Sequence, residues 1–197
     1  MSKDIERIEA NWETYNKLLR RLCDNNINEF LESLGERLCM CPASPRLSDY
    51  SAHPGGLIEH MVLVTSQMRN LNESLGLQIP VNSIIKTGLL HDIGKVGDLN
   101  RPLFYDQDSS WHRENLGQMY KYNDEIQKMS SSHRTLCLLQ HFGVKITQDE
   151  WIAIQISGGS HFEENRFYVG SEPTLAMLLQ KAKAFVIHLE KNPHLKK

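Results

Sequence analysis

The stretch "GLLHDIGKVGD", Gly88–Asp98, decides how this chain is read. An apolar run stops abruptly at His91 and Asp92, followed by Gly94 and Lys95. At helical spacing, Ile84, Gly88 and His91 fall on one line, and Ile85, Leu89 and Asp92 on the next. Both members of the pair therefore continue a buried stripe. Asn82 can cap this helix, and Gly94 is placed to end it. An ionised carboxylate is costly to bury unless positive charge meets it. The preceding helical pattern, 57–75, has an apolar face of Leu57, Met61, Val64, Met68 and Leu71. His60 lies three before Leu63 and four before Val64, so it borders that face and points inward. Two inward imidazoles and a carboxylate on consecutive helices make a donor set for a divalent cation. The plainer alternative is that His91 and Asp92 only hydrogen-bond locally at a helix end.

Working outward, the chain reads as helices and loops, with no internal repeat or low-complexity segment. Residues 3–22 carry Ile5, Ile8, Trp12, Tyr15, Leu18, Leu19 and Leu22 at helical spacing, and 26–38 give a shorter helix. "CPASPRLSDYSAHPGG" is a loop, 98–113 looks irregular, and Ser131 or Ser132 can cap a helix to about Phe142. Thr147 or Asp149 can start another, through Ile156. Pro173 suits the first turn of a last helix ending near Glu190. Strand signals are thin: "RFYVG" reads as one arm of a small β-hairpin near residues 160–170. The expected fold is all-α, a single domain over 1–197. Helices in 1–40 pack on a motif-bearing core, 41–190, and a polar tail follows at 191–197.

Bulk properties narrow the class. The chain has 197 residues, enough for a sizeable core, with 40% hydrophobic and 23% charged residues and a net charge of −2. That balance gives no basic footprint for nucleic acid across the whole chain, though a local patch stays open. No apolar run approaches a membrane span, and "MSKDIERIEANW" is charged from the start, so a cytoplasmic protein is expected. Cys23, Cys39, Cys41 and Cys137 have no zinc-ribbon spacing and read as reduced thiols in or near a core.

"GGLIEH" followed by "LLHDIGK" resembles the HD-domain phosphohydrolase superfamily. The wider run, through "WHRENLGQMY", "RTLCLLQHFG" and "EWIAI", is similar to its small, often phage-encoded members over roughly residues 40–190. The resemblance implies a helical bundle that hydrolyses phosphoesters of nucleotides or nucleic acids with a divalent metal ion (Mn, Mg, Fe, Co, Ni or Zn). It implies His60, His91 and Asp92 as metal ligands, with Asp92 able to bridge two ions, and His133 as a further ligand. Lys95 would meet a substrate phosphate, so Asp92 and Lys95 are the expected catalytic pair. His53 and Arg113 are expected on the substrate side. The resemblance allows a homo-oligomer, and implies the host cytoplasm if the protein is phage-encoded.

Two departures bear on the site. The family closes it with an Asp in an Ala-Asp pair on the last helix; here the stretch is "LLQKAKAFV", and Lys183 follows Ala182. Ser157 and Gly158 stand where a His-Asp pair is usual, with His161 three or four positions on. A lysine in place of an anion opposes metal binding: at an effective dielectric near 20, like charges about 4 Å apart repel by roughly 4 kcal/mol. Lys183 can instead neutralise Asp92 as an internal substitute for the ion, or reach past it to solvent. Two functions follow. One is a metal-dependent phosphohydrolase. The other is a degenerate nucleotide-binding or protein-interaction module without turnover, with no metal.

Overall fold

The computed structural model describes residues 2–159 and 162–195. The helices are α1 (Ser2–Arg20), α2 (Asn25–Met40), α3 (Gly56–Leu75), α4 (Val81–Leu90), α5 (Ser110–Leu116), α6 (Ser131–His141), α7 (Gln148–Gln155) and α8 (Thr174–Lys191). Short 3-10 turns occupy Ile93–Val96, Glu163–Tyr168 and Pro193–Leu195. The fold is an all-α bundle carrying one small antiparallel pair, β1 (Phe104–Asp106) with β2 (Tyr120–Tyr122), in which Phe104 faces Tyr122.

The apolar stripes read from the sequence become the core. One cluster joins α1, α2, the start of α3, α4 and α6 through Tyr15, Phe30, Leu57, Met61, Leu89 and Phe142. A second joins the middle of α3 to α7 and α8 through Val64, Met68, Ile84, Ala153, Leu179 and Ala182. Because α3 and α4 contribute to both, their facing residues are wholly enclosed. They pack closely enough that a Cβ on Gly88 would strike the Thr65 side chain. Thr65 turns its hydroxyl back to the Met61 carbonyl, at 2.7 Å.

Several local expectations are corrected. The small hairpin lies at 104–106 and 120–122, not near 160–170. There, Glu163–Tyr168 satisfies its backbone locally, through bonds such as Val169 N–H to the Arg166 carbonyl, and needs no partner strand. The irregular-looking 98–113 region contains the start of α5, capped by Ser109, whose hydroxyl accepts from the His112 amide. α4 begins one residue before Asn82, behind Pro80, whose fixed φ suits helix entry. Pro173 likewise sits just before α8 rather than in its first turn. Gly94 does not end α4 in a left-handed conformation. His91 ends it, and Gly94 lies in the following 3-10 turn. A Cβ there would run into the Ser131 carbonyl and the Thr135 amide of α6, so its missing side chain lets that turn seat on α6. Among the thiols, Cys41 is buried, which pushes it up to about 12, whereas Cys23 and Cys137 are exposed. Among the described residues, no helix is long and apolar enough to cross a membrane.

Candidate metal centre

The centre forms where the first turns of α3, the end of α4 and the middle of α8 converge. His60 is presented by α3, His91 by the cap that closes α4, and Asp92 by the step into the 3-10 turn. One ligand atom from each lies within 4.8 Å of the others, so the three could hold a metal ion. His60 and His91 are 0% exposed and Asp92 is 2% exposed, so the two rings are shut off from bulk water.

The imidazoles are built as donors of electron pairs. His91 Nδ1 lies 2.9 Å from the Gly88 carbonyl. A carbonyl only accepts, so Nδ1 carries the proton and Nε2 presents a lone pair. That Nε2 has no hydrogen-bond partner and lies 3.6 Å from Asp92 Oδ2. A lone pair facing a carboxylate is unfavourable unless a positive charge stands between them. His60 has no partner at either ring nitrogen. It packs against Tyr50, with ring centroids 4.5 Å apart, and lies 6.0 Å from the His91 ring. Burial first, and then the Lys183 ammonium, hold His60 well below the usual histidine range. Burial also outweighs the pull of Asp92 on His91, which is pushed down to about 4. Both rings are thus neutral at pH 7, the form a metal requires.

Asp92 is already surrounded by charge. Lys95 Nζ lies 2.9 Å and Lys183 Nζ 3.0 Å from the same Oδ2. Burial pushes the carboxyl up, but Lys183 and then Lys95 outweigh it and hold Asp92 well below the usual carboxylate range. Lys95 also donates to the Tyr50 hydroxyl at 2.6 Å. Burial alone would lower its pKa; Asp92 and Tyr50 together raise it. Lys183 therefore does not reach past the site to solvent: it sits on the carboxylate. The donor set fits a single ion. Two neutral imidazoles with free lone pairs and one ionised carboxylate form a two-His, one-carboxylate set with room for other ligands. It does not favour a bridged pair, because Oδ2 is already held by two ammonium groups.

His133, His53 and Arg113 make their contacts elsewhere. His133 opens α6, exposed, with Nε2 2.9 Å from Gln155 Nε2, outside the cluster. His53 meets Arg7 of α1 at 3.3 Å and Glu59 at 3.9 Å. Arg113, on α5, donates to the Gln107 carbonyl. Ser157 and Gly158 line a small cavity together with Asp92 and Lys183. His161 lies outside the described residues. Tyr50 was not expected. Its only trace in the sequence is a single aromatic within the polar loop "LSDYSAH".

The family model of the HD domain matches residues 57–182, more than half of the chain, and the chain belongs to that family, in the HD-domain phosphohydrolase superfamily. The match ends one residue before Lys183. No curated protein and no solved structure matched the chain.

Proposed function

We propose that this protein is a metal-dependent phosphohydrolase acting on a nucleotide-type phosphoester, with one divalent cation held by His60, His91 and Asp92. The observation that carries the reading is the convergence on Asp92 of buried imidazole nitrogens that have no partner. Such a cation, when bound, acidifies a water and polarises a phosphoryl oxygen. The chain's own residues supply the remainder. The Gly88 carbonyl fixes the tautomer and angle of the His91 ring. Asp92 orients two ammonium groups, and Lys95 and Lys183 meet the phosphoryl oxygens, each as a charge-assisted donor. Tyr50 holds Lys95 from the other side and shields the His60 face.

One observation favours a second reading. Lys183 Nζ, 3.0 Å from Oδ2, already neutralises Asp92 where the family carries a further carboxylate. On that reading the chain binds a nucleotide or a protein and does not turn over. The test is hydrolysis of a panel of nucleotides and bis-phosphodiesters with added divalent cations, run beside Asp92→Ala. Metal-dependent turnover lost in the variant supports the hydrolase. No turnover, with metal uptake gained only by Lys183→Asp, supports the degenerate module.

A further inference from the structure

One cavity opens beside Asp92 and shares a wall with a larger one. The smaller, about 290 Å³, is lined by Asp92, Lys95, Lys183, Ser131, Ser132 and Ser157 among others. The larger, about 790 Å³, includes Tyr50, Phe104, Tyr122, Met129 and Arg134. Tyr50, Lys95, Ser131 and Ile187 line both. We infer that the two form one cleft for a small phosphomonoester, with the phosphoryl group in the smaller chamber and a planar ring in the larger, where an acceptor on the ring meets Arg134. The inference rests on the phosphoester reading of the centre.

The smaller chamber has the chemistry of an anion site. The Lys95 and Lys183 ammonium groups face it, against the carboxylates of Asp92 and Glu164. The first turn of α6 adds the backbone N–H groups of Ser131 and Ser132, that of His133 being capped by Ser130. Ser131 Oγ is buried there without a partner. The larger chamber has the chemistry of a ring site. Phe104 and Tyr122 stand with centroids 5.2 Å apart, and Tyr50 closes the end nearer Lys95. Arg134 supplies an independent observation. It is only 5% exposed; Nη2 donates to the Gln127 carbonyl at 2.7 Å, but Nη1 has no acceptor. A buried guanidinium N–H left unmatched is costly, and an acceptor on a bound ring would match it. Arg134 and Ser131 lie one turn apart on α6, so a single helix face reaches both chambers. Asp49 and Asp124 also line the larger chamber, opposed there by Lys128 and Lys191, so charge does not set the ligand's size. The two volumes do: about 790 and 290 Å³ suit one ring and one phosphoryl group, the size of a mononucleotide and not of a nucleic-acid strand.

The test is calorimetric binding by the full chain in excess chelator, which separates binding from turnover. The probes are the nucleoside 5′-monophosphates, the matching nucleosides, inorganic phosphate and a single-stranded oligonucleotide. At least one monophosphate is expected to bind tenfold or more tighter than both its nucleoside and inorganic phosphate. Arg134→Met should weaken that monophosphate at least tenfold and leave inorganic phosphate unchanged, while Lys183→Met weakens both. Tyr122→Ala, at an exposed strand position, should repeat the Arg134→Met pattern and serves if that variant does not fold. The inference is overturned if no monophosphate outbinds its nucleoside, if the oligonucleotide binds tighter, or if both ring-side variants bind like the parent. Monophosphates that bind but are never hydrolysed would leave the cleft standing and sink the hydrolase reading. Hydrolysis by metal-loaded protein with no such binding preference would do the reverse.

Discussion

Asp92 faces two imidazoles and two ammonium groups at once, and its removal has a calculable sign. Asp92→Ala leaves Lys95 and Lys183 buried together without a counter-charge, and breaking a buried pair in this way costs about 3–5 kcal/mol. Lys183→Met leaves Lys95 to neutralise the carboxylate and should cost clearly less. Urea unfolding of the two variants checks the order. Acid should act through the same cluster. His91 is pushed from 6.5 down to about 4, so between those values the unfolded chain takes up a proton that the folded chain refuses. Stability of chelator-treated protein should therefore fall as pH drops from about 6.5 to about 4, by about 3 kcal/mol for this one group. His60 is shifted the same way and adds to the loss, and Asp92 adds more below the ordinary carboxylate range. His91→Gln should flatten the slope between pH 7 and pH 5; an unchanged slope would contradict the burial of a neutral ring. His60, His91 and Asp92 were legible in the sequence because helical register turns them inward, and Lys183 because it stands where the resemblance places a last Asp. Tyr50 and Arg134 were not. A loop has no period to aim Tyr50, and helical spacing does not distinguish a guanidinium buried against the preceding loop from one in solvent.

At the scale of elements, the step from α4 into the 3-10 turn at Ile93–Val96 sets the spacing of the centre. It carries Asp92 and Lys95 and rests on α6 through Gly94. The Gly94 amide donates to Thr135 Oγ1 at 2.8 Å, and the same hydroxyl reaches the His91 carbonyl at 3.2 Å. Gly94→Ala must push this turn off α6. It should destabilise by about 1–3 kcal/mol and weaken metal uptake in the molecules that remain folded. Gly76→Ala, at the open end of α3 with nothing near its Cβ, should cost about 1–2 kcal/mol through its left-handed φ and leave metal uptake unchanged. Thermal melts with metal titration of both variants separate strain from geometry. The helices were legible because apolar residues recur with their period. The β1–β2 pair was not, since three-residue strands show no alternation and are fixed by the Phe104–Tyr122 contact.

Across the whole molecule, two apolar clusters meet along α3 and α4, and the centre lies at their junction with α8. That arrangement brings position 183 to Asp92 from 91 residues away. The bundle thus sets an ammonium group beside the three candidate ligands. Lys183→Asp should raise affinity for a divalent cation at least tenfold, read by metal titration, since it removes a repelling charge and adds a donor. An unchanged affinity would show that Lys183 does not govern the ion. The central claim, that His60, His91 and Asp92 hold a metal, is tested most directly by metal analysis of protein purified without chelator, beside Asp92→Ala. The account predicts about one divalent ion per chain in the parent protein and almost none in the variant. A parent protein that stays empty even after incubation with divalent cations would contradict it.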